Sequence, residues 1–433
     1  MSESGSMKNS LPVRCVLVHD EQGVIAQCLV PTDSMLELGR LQTNSGRDLN
    51  PMPSAQILRA SKMRQLVPLD KSRQFFALPT WVDQSLAACG DLVVDADGMT
   101  LQQVRDGLLE QRMSIRHVDI TIAAAELDHS LPDADQDPEQ INDSLRNFTS
   151  LRIRQRLDDT LEIPPLSPTA DRIMQLRANP NASVTDLTNI VESDPSLAAQ
   201  VVSWASSPYY AAPGKIRSVQ DAIVRVLGFD LVSNLAVGLI LGRTVSLPKD
   251  GSDGLTPYWL QAAYCATTVE ALSRLMPARV RPRQGLIYLA GLLHNFGYLV
   301  LAHTFPPHFS RICRYTEANP NISHVAIEKH LVGICREQIS AWLMQAWNMP
   351  EEVCTALRHQ QDADYQGEHA EYANLVFIAT RLLREHSIGD APTDPIPDEM
   401  FDRRELNPER CRELVAKLVA SEDIALIAEQ MTL

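Results

Sequence analysis

One imidazole lies in the middle of an apolar segment, with a carboxamide directly beside it. The segment runs from residue 290 to residue 301, and His294 is followed by Asn295. Imidazole nitrogen is a common metal ligand in proteins. The carboxamide oxygen is neutral and binds a hard divalent cation more weakly than a carboxylate does. Three interpretations are therefore open: a metal site, the remnant of a metal site, and an ordinary part of the core.

The residues around His294 predict the element that positions it. Apolar side chains recur at helical spacing through the segment, which predicts a core helix. A lone histidine on such a helix is first interpreted as a hydrogen-bonded core residue, and a ligand-binding role is the alternative. The apolar positions are Leu292, Leu293, Phe296, Leu299 and Val300.

Composition limits the classes of function. The chain has 433 residues, which favours two or three domains, and 45% apolar with 5% aromatic residues is typical of a mostly helical protein. The net charge of −15 repels phosphate backbones, so no DNA binding is expected. The eight cysteines form no C-x-x-C pair, which fits a reducing compartment. We find no secretory signal and no apolar run of membrane-spanning length, so a cytoplasmic protein without membrane contact is expected.

The N-terminal part predicts an α+β domain. Residues 1–10 are expected to form a disordered leader, and residues 11–125 the domain. Two β-rich runs, 13–19 and 24–30, flank turn residues 20–23 and predict a hairpin. Further short strands are predicted at 75–79, 81–83 and 91–95.

Several segments of this domain carry a family resemblance: 29–33 before Leu36-Glu37-Leu38, 45–49, 78–83, and the strand at Asp91. With these the domain resembles the YbaK/prolyl-tRNA-synthetase-associated domain, whose members clear mischarged aminoacyl-tRNA. Members place a lysine in the first strand, where its ammonium helps to hold the substrate, and Arg14 matches that position. Arginine is a planar fork and not a compact point donor. We therefore predict a degenerate domain, with deacylase activity as the alternative.

A cluster of cations follows within the same domain. Between residues 59 and 73 there are five cations and a single carboxylate, Asp70. The first interpretation is an ordinary solvated surface. The alternative is a phosphate-contacting patch with tRNA as partner, whose affinity would fall steeply with salt. The cations are Arg59, Lys62, Arg64, Lys71 and Arg73.

The rest of the chain predicts an all-helical domain. Residues 126–150 are acidic and proline-bearing and are predicted to be a linker. Residues 151–380 follow as the helical domain, with a break near 247–254, and 381–433 as a helical extension. Ser183 with Asp186, and Asp194 before Pro195, are typical of helix N-termini.

A second resemblance covers about residues 155 to 380. It rests on the segments 161–166, 186–197, 204–210, 216–223 and 227–228, in unbroken order, and on Gly291-Leu292-Leu293-His294. These segments look like the HDOD domain, an HD-related helical module of bacterial signalling proteins that is generally regarded as non-catalytic. The resemblance implies a multidomain protein in which an α+β YbaK-like domain precedes an all-α HDOD domain.

Catalytic HD relatives hold a metal with histidines and aspartates, and most of those positions are changed here. The first histidine is missing, since no histidine lies between residues 129 and 294. The His-Asp pair corresponds to His294-Asn295, and a later histidine corresponds to Cys335. Of two paired histidines only His359 is present, and the final aspartate corresponds to Thr380.

These changes predict a relic pocket and not a working metal site. We expect no bound metal and no cofactor, although Cys335, His294 and His359 could in principle form an open zinc site. The prediction is a regulatory protein that is not an enzyme and acts through an unidentified signalling protein or a small ligand. A nucleotide is permitted as that ligand. The alternatives are an aminoacyl-tRNA deacylase and a metal-dependent phosphohydrolase.

Overall fold

A computed structural model describes most of the chain. The described residues are 12–69, 74–89, 92–94, 99–153, 167–210, 214–244, 256–392, 394–421, 423–425 and 428. The predicted leader, Lys71, Arg73, the segment 161–166 and the break at 247–254 lie outside them. The chain divides into two compact units. The first comprises Met1–His129, Asp250–Leu255 and Ser310–Leu331, and the second comprises the rest.

The first unit is built on a mixed five-stranded sheet of order β4-β1-β2-β5-β6. The predicted hairpin is confirmed, because β1 and β2 pair antiparallel, while β5 pairs parallel with both β2 and β6. β3 and β7 form a separate antiparallel pair. The strands are β1 Val13–His19, β2 Ile25–Pro31, β3 Ser34–Leu36, β4 Asn50–Pro51, β5 Thr80–Asp83, β6 Ile115–Val118 and β7 Thr121–Ala123.

Two of the predicted strands are reduced to single bridges. Phe76 bridges Pro68, and Val93 bridges Thr100. The run at 75–79 ends on Pro79, which has no amide hydrogen to donate to a ladder. Asp91 and Asp95 lie outside the described residues.

The sheet is buried on both faces, which explains why its strands read as apolar runs and not as a strict alternation. Val16 and Val18 of β1 join one core, whereas Val13 and Leu17 of the same strand join cores on the opposite face. The helices α1 Leu38–Ser45, α2 Ser54–Lys62 and α3 Leu101–Glu110 belong to this unit.

The second unit is helical in its described part. The predicted capping box of Ser183 and Asp186 is confirmed, as is the Asp194 cap, which accepts the amides of Ser196 and Leu197. The helices that follow α3 in the chain, including α13 and α14 with residues 310–331 of the first unit, are α4 Asp137–Ile153, α5 Pro168–Ala178, α6 Val184–Glu192, α7 Pro195–Ala205, α8 Val219–Ala222, a π-helical turn Ile223–Leu227, α9 Phe229–Thr244, α10 Tyr258–Leu275, α11 Gln284–Leu293, α12 Phe296–Thr304, α13 Pro306–Ala318, α14 His324–Val332, α15 Arg336–Ala346, α16 Glu351–His359, α17 Ala370–Glu385, α18 Asp398–Arg403 and α19 Pro408–Ala420.

Residues 310–331, which include most of α13 and α14, differ from the predicted domain boundaries. They were expected in the helical domain but belong to the first unit. Tyr315, Ala318, Ile322 and Ile327 are buried in the same core as Val16 of the sheet. These helices therefore cover one face of the sheet.

The acidic segment 126–150 also differs from the predicted linker, because α4 begins at Asp137. The Asp137 side chain is buried, and its Oδ2 lies 2.5 Å from Arg358 Nε. Gln338 Nε2 donates to Asp137 Oδ1 at 2.9 Å. A partner of opposite charge together with a hydrogen bond makes the burial of this carboxylate tolerable, so the segment is ordered despite its charge.

The expectation that no apolar run reaches membrane-spanning length is wrong for one stretch. Gln284–Thr304 is long and apolar enough to cross a membrane, with a mean hydropathy of 1.5. Of its most apolar window, 94% is buried inside the protein. Since a core helix has the same composition, the stretch is weak evidence for a membrane span.

Candidate functional site

His294 ends α11 and is buried. Its Nδ1 lies 2.8 Å from the carbonyl oxygen of Gly291, so Nδ1 carries the proton and donates it. The His294 carbonyl oxygen accepts a 2.7 Å hydrogen bond from Gln360 Nε2. Burial lowers the pKa of His294 to about 4. The imidazole is therefore neutral at pH 7 and fixed in one tautomer.

Asn295 lies between α11 and α12 and is hydrogen-bonded to a buried cation. Its Oδ1 accepts a 2.8 Å hydrogen bond from Nη1 of Arg336, which also lies 2.7 Å from Asp390 Oδ2. The Arg336 side chain is 3% exposed and the Asp390 side chain 10%. The guanidinium lies 5.0 Å from the centre of the Tyr298 ring, within cation–π range. A buried network thus links Asn295, Arg336 and Asp390.

Two further residues position this network. Gln261 of α10 accepts a 3.2 Å hydrogen bond from Asn295 Nδ2, and its own Nε2 donates to the Thr256 carbonyl oxygen at 2.6 Å. Gly297 lets α12 approach α15, because a Cβ there would lie 2.0 Å from the carbonyl oxygen of Arg336. The start of α15, and with it Arg336, is therefore held against α12 by backbone contact.

The remaining predicted pocket residues have other hydrogen-bond or ring partners. Cys335 is the N-cap of α15, where its backbone amide donates to Gln338 Oε1 at 3.1 Å. The Thr380 hydroxyl donates to the Val376 carbonyl oxygen of its own helix at 2.9 Å. His359 stacks on Tyr365 with ring centroids 3.8 Å apart, and burial together with the Arg358 charge lowers its pKa.

These residues do not fit the requirements of a divalent metal. Among the residues that the structure describes, no three His, Cys, Asp or Glu side chains are grouped so that they could hold a metal ion. Asn295 Oδ1 faces the guanidinium of Arg336, which stays charged at all ordinary pH values. A cation bound to Asn295 would be repelled by it, and Asp390 is already paired with the same guanidinium.

Sequence reasoning missed the residues that make this network. Arg336, Asp390, Gln261 and Gln360 were not singled out, because none replaces a metal ligand of the HD pattern one for one. The one available signal was an arginine directly after Cys335, at the start of a mostly buried helix. A charge at such a position needs a partner, although the sequence does not say which.

In the first unit, Arg14 is held by residues of the 310–331 segment. Its Nη1 donates to the Ala318 carbonyl oxygen and its Nη2 to Asn319 Oδ1, both at 2.6 Å, and Nη2 also donates to the Ser34 carbonyl oxygen at 3.2 Å. Asn319 in turn accepts from the amide of Leu36 and donates to its carbonyl oxygen. Burial lowers the pKa of Arg14 to about 10, so it remains charged at neutral pH.

The predicted phosphate-contacting patch is described only in part. Arg59 and Lys62 on α2, and Arg64 just after it, are exposed. Lys71 and Arg73 lie outside the described residues. Exposure is compatible with both the solvated surface and the phosphate-contacting interpretation.

Comparisons with known proteins agree with the helical fold. The sequence matches the HDOD domain family over residues 163–363. A structure from Marinobacter aquaeolei VT8, described as a candidate signal transduction protein, has 41% identity and a TM-score of 0.84, and the match covers 99% of this chain and 95% of that one. An HDOD domain protein of Geobacter sulfurreducens with unknown function has 20% identity and a TM-score of 0.50 over 66% of this chain and 96% of its own.

Two other comparisons give weaker evidence, because sequence identity or coverage is low. A candidate phosphohydrolase of Shewanella amazonensis SB2B, at 18% identity and a TM-score of 0.50 over 62% of this chain and 95% of its own, shares the fold. An uncharacterised protein of Treponema pallidum is 25% identical over 256 residues, which is 58% of this chain but only 47% of that protein. The chain thus spans about half the length of this curated relative.

The matched family and the signal transduction neighbour together support a signalling or regulatory role. Most of the matched residues lie in the second unit, which has the expected helical architecture, and residues 310–331 of the match belong to the first unit, which also contains an α/β sheet. Residues 163–363 are an HDOD domain, and the chain belongs to the HDOD domain proteins.

Proposed function

We propose that this protein is a non-catalytic cytoplasmic signalling protein that works by binding a protein or a small ligand. The observation that carries the proposal is the position of Arg336 Nη1, between Asn295 Oδ1 at 2.8 Å and Asp390 Oδ2 at 2.7 Å. In this interpretation a permanent side-chain cation stands near the place that a metal takes in catalytic relatives.

A metal hydrolase lowers the pKa of a bound water by placing a divalent cation in an open coordination site. Arg336 supplies only one positive charge, in a fixed planar fork with no exchangeable ligand position. The imidazole of His294 donates its Nδ1 proton to Gly291, and burial lowers its pKa to about 4, so Nε2 is a weak base. A singly charged guanidinium and a weakly basic imidazole support a structural role for these residues over activation of water.

The proposal extends to the first unit. Its resemblance to aminoacyl-tRNA deacylases is the reason to consider hydrolysis there, and Arg14 is the matching residue. The two terminal nitrogens of Arg14 donate hydrogen bonds to Ala318, Asn319 and Ser34, which supports a structural role over substrate contact. We propose that the first unit is a degenerate deacylase-like domain.

The test measures metal and turnover on the full chain. Protein purified without chelator is analysed for metal content and titrated with Mn²⁺, Mg²⁺ and Zn²⁺, and hydrolysis of bis(p-nitrophenyl) phosphate is followed. We expect no stoichiometric metal and no turnover. Metal that is present at one equivalent or more and is lost in His294→Asn would overturn the proposal, as would metal-dependent hydrolysis abolished by the same variant.

A further inference from the structure

A cleft of the helical unit is lined by residues that do not belong to the His294 network. It has a volume of about 570 Å³, within the usual range of small-molecule sites. The first turns of α9 and α11 both line it, together with Arg177 of α5. Gly285 brings the two turns together, because a Cβ there would lie 3.3 Å from the backbone carbonyl carbon of Asp230.

Neither helix is capped by the side chain of the residue that directly precedes it. Gly228, which has a φ of +81°, precedes α9 and has no side chain to offer. α11 begins after Arg283, and no side chain caps its first turn. Free amides at a helix N-terminus carry partial positive charge and bind anions. The N-termini of two helices, α9 with 16 residues and α11 with 10 residues, therefore line the same cleft.

Three buried polar atoms of residues that line the cleft lack a hydrogen-bond partner among the described residues. Asn234 is 1% exposed, and its Oδ1 has no hydrogen-bond partner among the described residues. The same holds, within the described part of the chain, for the buried Nη1 of Arg177 and Oε1 of Gln284. Each such atom calls for a hydrogen-bond partner, which the polar groups of a bound molecule would supply.

The charges of the cleft indicate which chemistry would satisfy these atoms. Arg177, Arg274 and Arg283 line it against the carboxylates of Asp230 and Glu270. Arg274 is paired with Glu270 at 2.9 Å, whereas no ion pair holds Arg283 among the residues described. Arg177 and Arg283 can thus accept an anion, while the unpartnered oxygens of Asn234 and Gln284 require hydrogen-bond donors.

We propose that this cleft binds a phosphate monoester of nucleotide size that also carries hydroxyl or amino donors. The phosphate lies at the two helix N-termini and pairs with Arg177 and Arg283. The donors of the ligand meet Asn234 and Gln284. The inference deepens the proposed function, since it names the class of small ligand that the signalling protein would bind, at a place other than the His294 network.

The test uses the full chain and four probes at constant ionic strength. AMP, glucose 6-phosphate, inorganic phosphate and phosphate-free adenosine are titrated by calorimetry. We expect binding of at least one phosphate monoester, weaker binding of inorganic phosphate, and none of adenosine. The two monoesters distinguish a nucleotide from a sugar phosphate as the source of the phosphate.

Variants locate the binding. Arg283→Gln, at an exposed position, and Arg177→Gln should each weaken the monoester at least about tenfold, because charge-assisted hydrogen bonds to phosphate are lost. Arg172→Gln, at an exposed position on the same helix as Arg177, should leave the dissociation constant unchanged. Absence of binding by every phosphate probe, or binding that Arg283→Gln does not weaken, overturns the inference. Neither result bears on the metal and turnover test.

Discussion

Arg336 Nη1 donates a 2.8 Å hydrogen bond to Asn295 Oδ1 while it is paired with Asp390, and all three groups lie inside the helical unit. The positive charge beside Asn295 is thus provided by the side chain of Arg336. A guanidinium in such a setting is costly to remove, because its carboxylate partner would remain buried without compensation.

Replacing the guanidinium tests how much the network stabilises the fold. We expect Arg336→Met to lower the free energy of unfolding by about 3–5 kcal/mol, the usual loss when one partner of a buried pair is removed. Arg279→Met, which breaks the exposed pair with Glu405, should cost less than about 1 kcal/mol. Urea denaturation followed by circular dichroism measures both. Equal effects of the two variants would contradict a buried, stabilising network.

Gly297 gives a steric test of the same place. A Cβ at residue 297 would meet backbone atoms of Arg336 at 2.0 and 2.7 Å, and backbone cannot rotate away as a side chain can. Gly297→Ala should therefore destabilise the protein by about 1–3 kcal/mol or more. Gly107→Ala in α3 meets only Leu69 at 3.7 Å and should instead stabilise by up to about 1 kcal/mol through helix propensity. Thermal melts of the two variants should shift in opposite directions.

His294 makes stability depend on pH. Its folded pKa of about 4 lies below the ordinary value of 6.5, so the unfolded chain takes up the proton first as the pH falls. The contribution of the neutral imidazole is complete above pH 6.5 and is lost progressively between pH 6.5 and 4. As the pH falls from 6.5 to 4, the wild type should lose its advantage in unfolding free energy over His294→Gln. A ring that titrates near pH 6.5 by NMR in the folded protein would refute this.

Substitution of Arg14 distinguishes a structural role of this residue from a catalytic one. Arg14→Ala removes three hydrogen bonds, two of them to residues 318 and 319, and we expect a loss of about 2–3 kcal/mol. Arg47→Ala, on a half-exposed pair with Asp20, should cost less than about 1 kcal/mol. Release of amino acid from mischarged tRNA should be at background in the wild type and in both variants. Turnover by the wild type that Arg14→Ala abolishes would restore the deacylase alternative.

The sequence was most informative where the cause of structure is local. The hairpin of β1 and β2 follows from two apolar runs around a turn, and the starts of α6 and α7 follow from Ser183 and Asp194 within one helical turn. The predicted burial of His294 is confirmed, because its apolar neighbours repeat with helical period, but the single helix expected over 290–301 is wrong, since it breaks into α11 and α12 at His294 and Asn295.

What could not be predicted depends on contacts between distant residues. An amphipathic pattern says that α13 buries one face but not which surface receives it, so Tyr315 was expected in the wrong domain. Asp390 reaches Arg336 from a loop that no periodicity describes. The acidic charge of residues 126–150 suggested a linker because the partner of Asp137, Arg358, is far away in sequence.

The placement of residues 310–331 limits how this protein can be divided or inherited. The chain builds the sheet, leaves for the helical unit, returns to cover one face of the sheet, and departs again. A single genetic crossover near residue 130 would separate the strands from the helices that shelter them, and an excised C-terminal fragment would carry Tyr315 and Ile327 as orphaned apolar surface. Expression of either half alone therefore calls for a redesigned 310–331 segment.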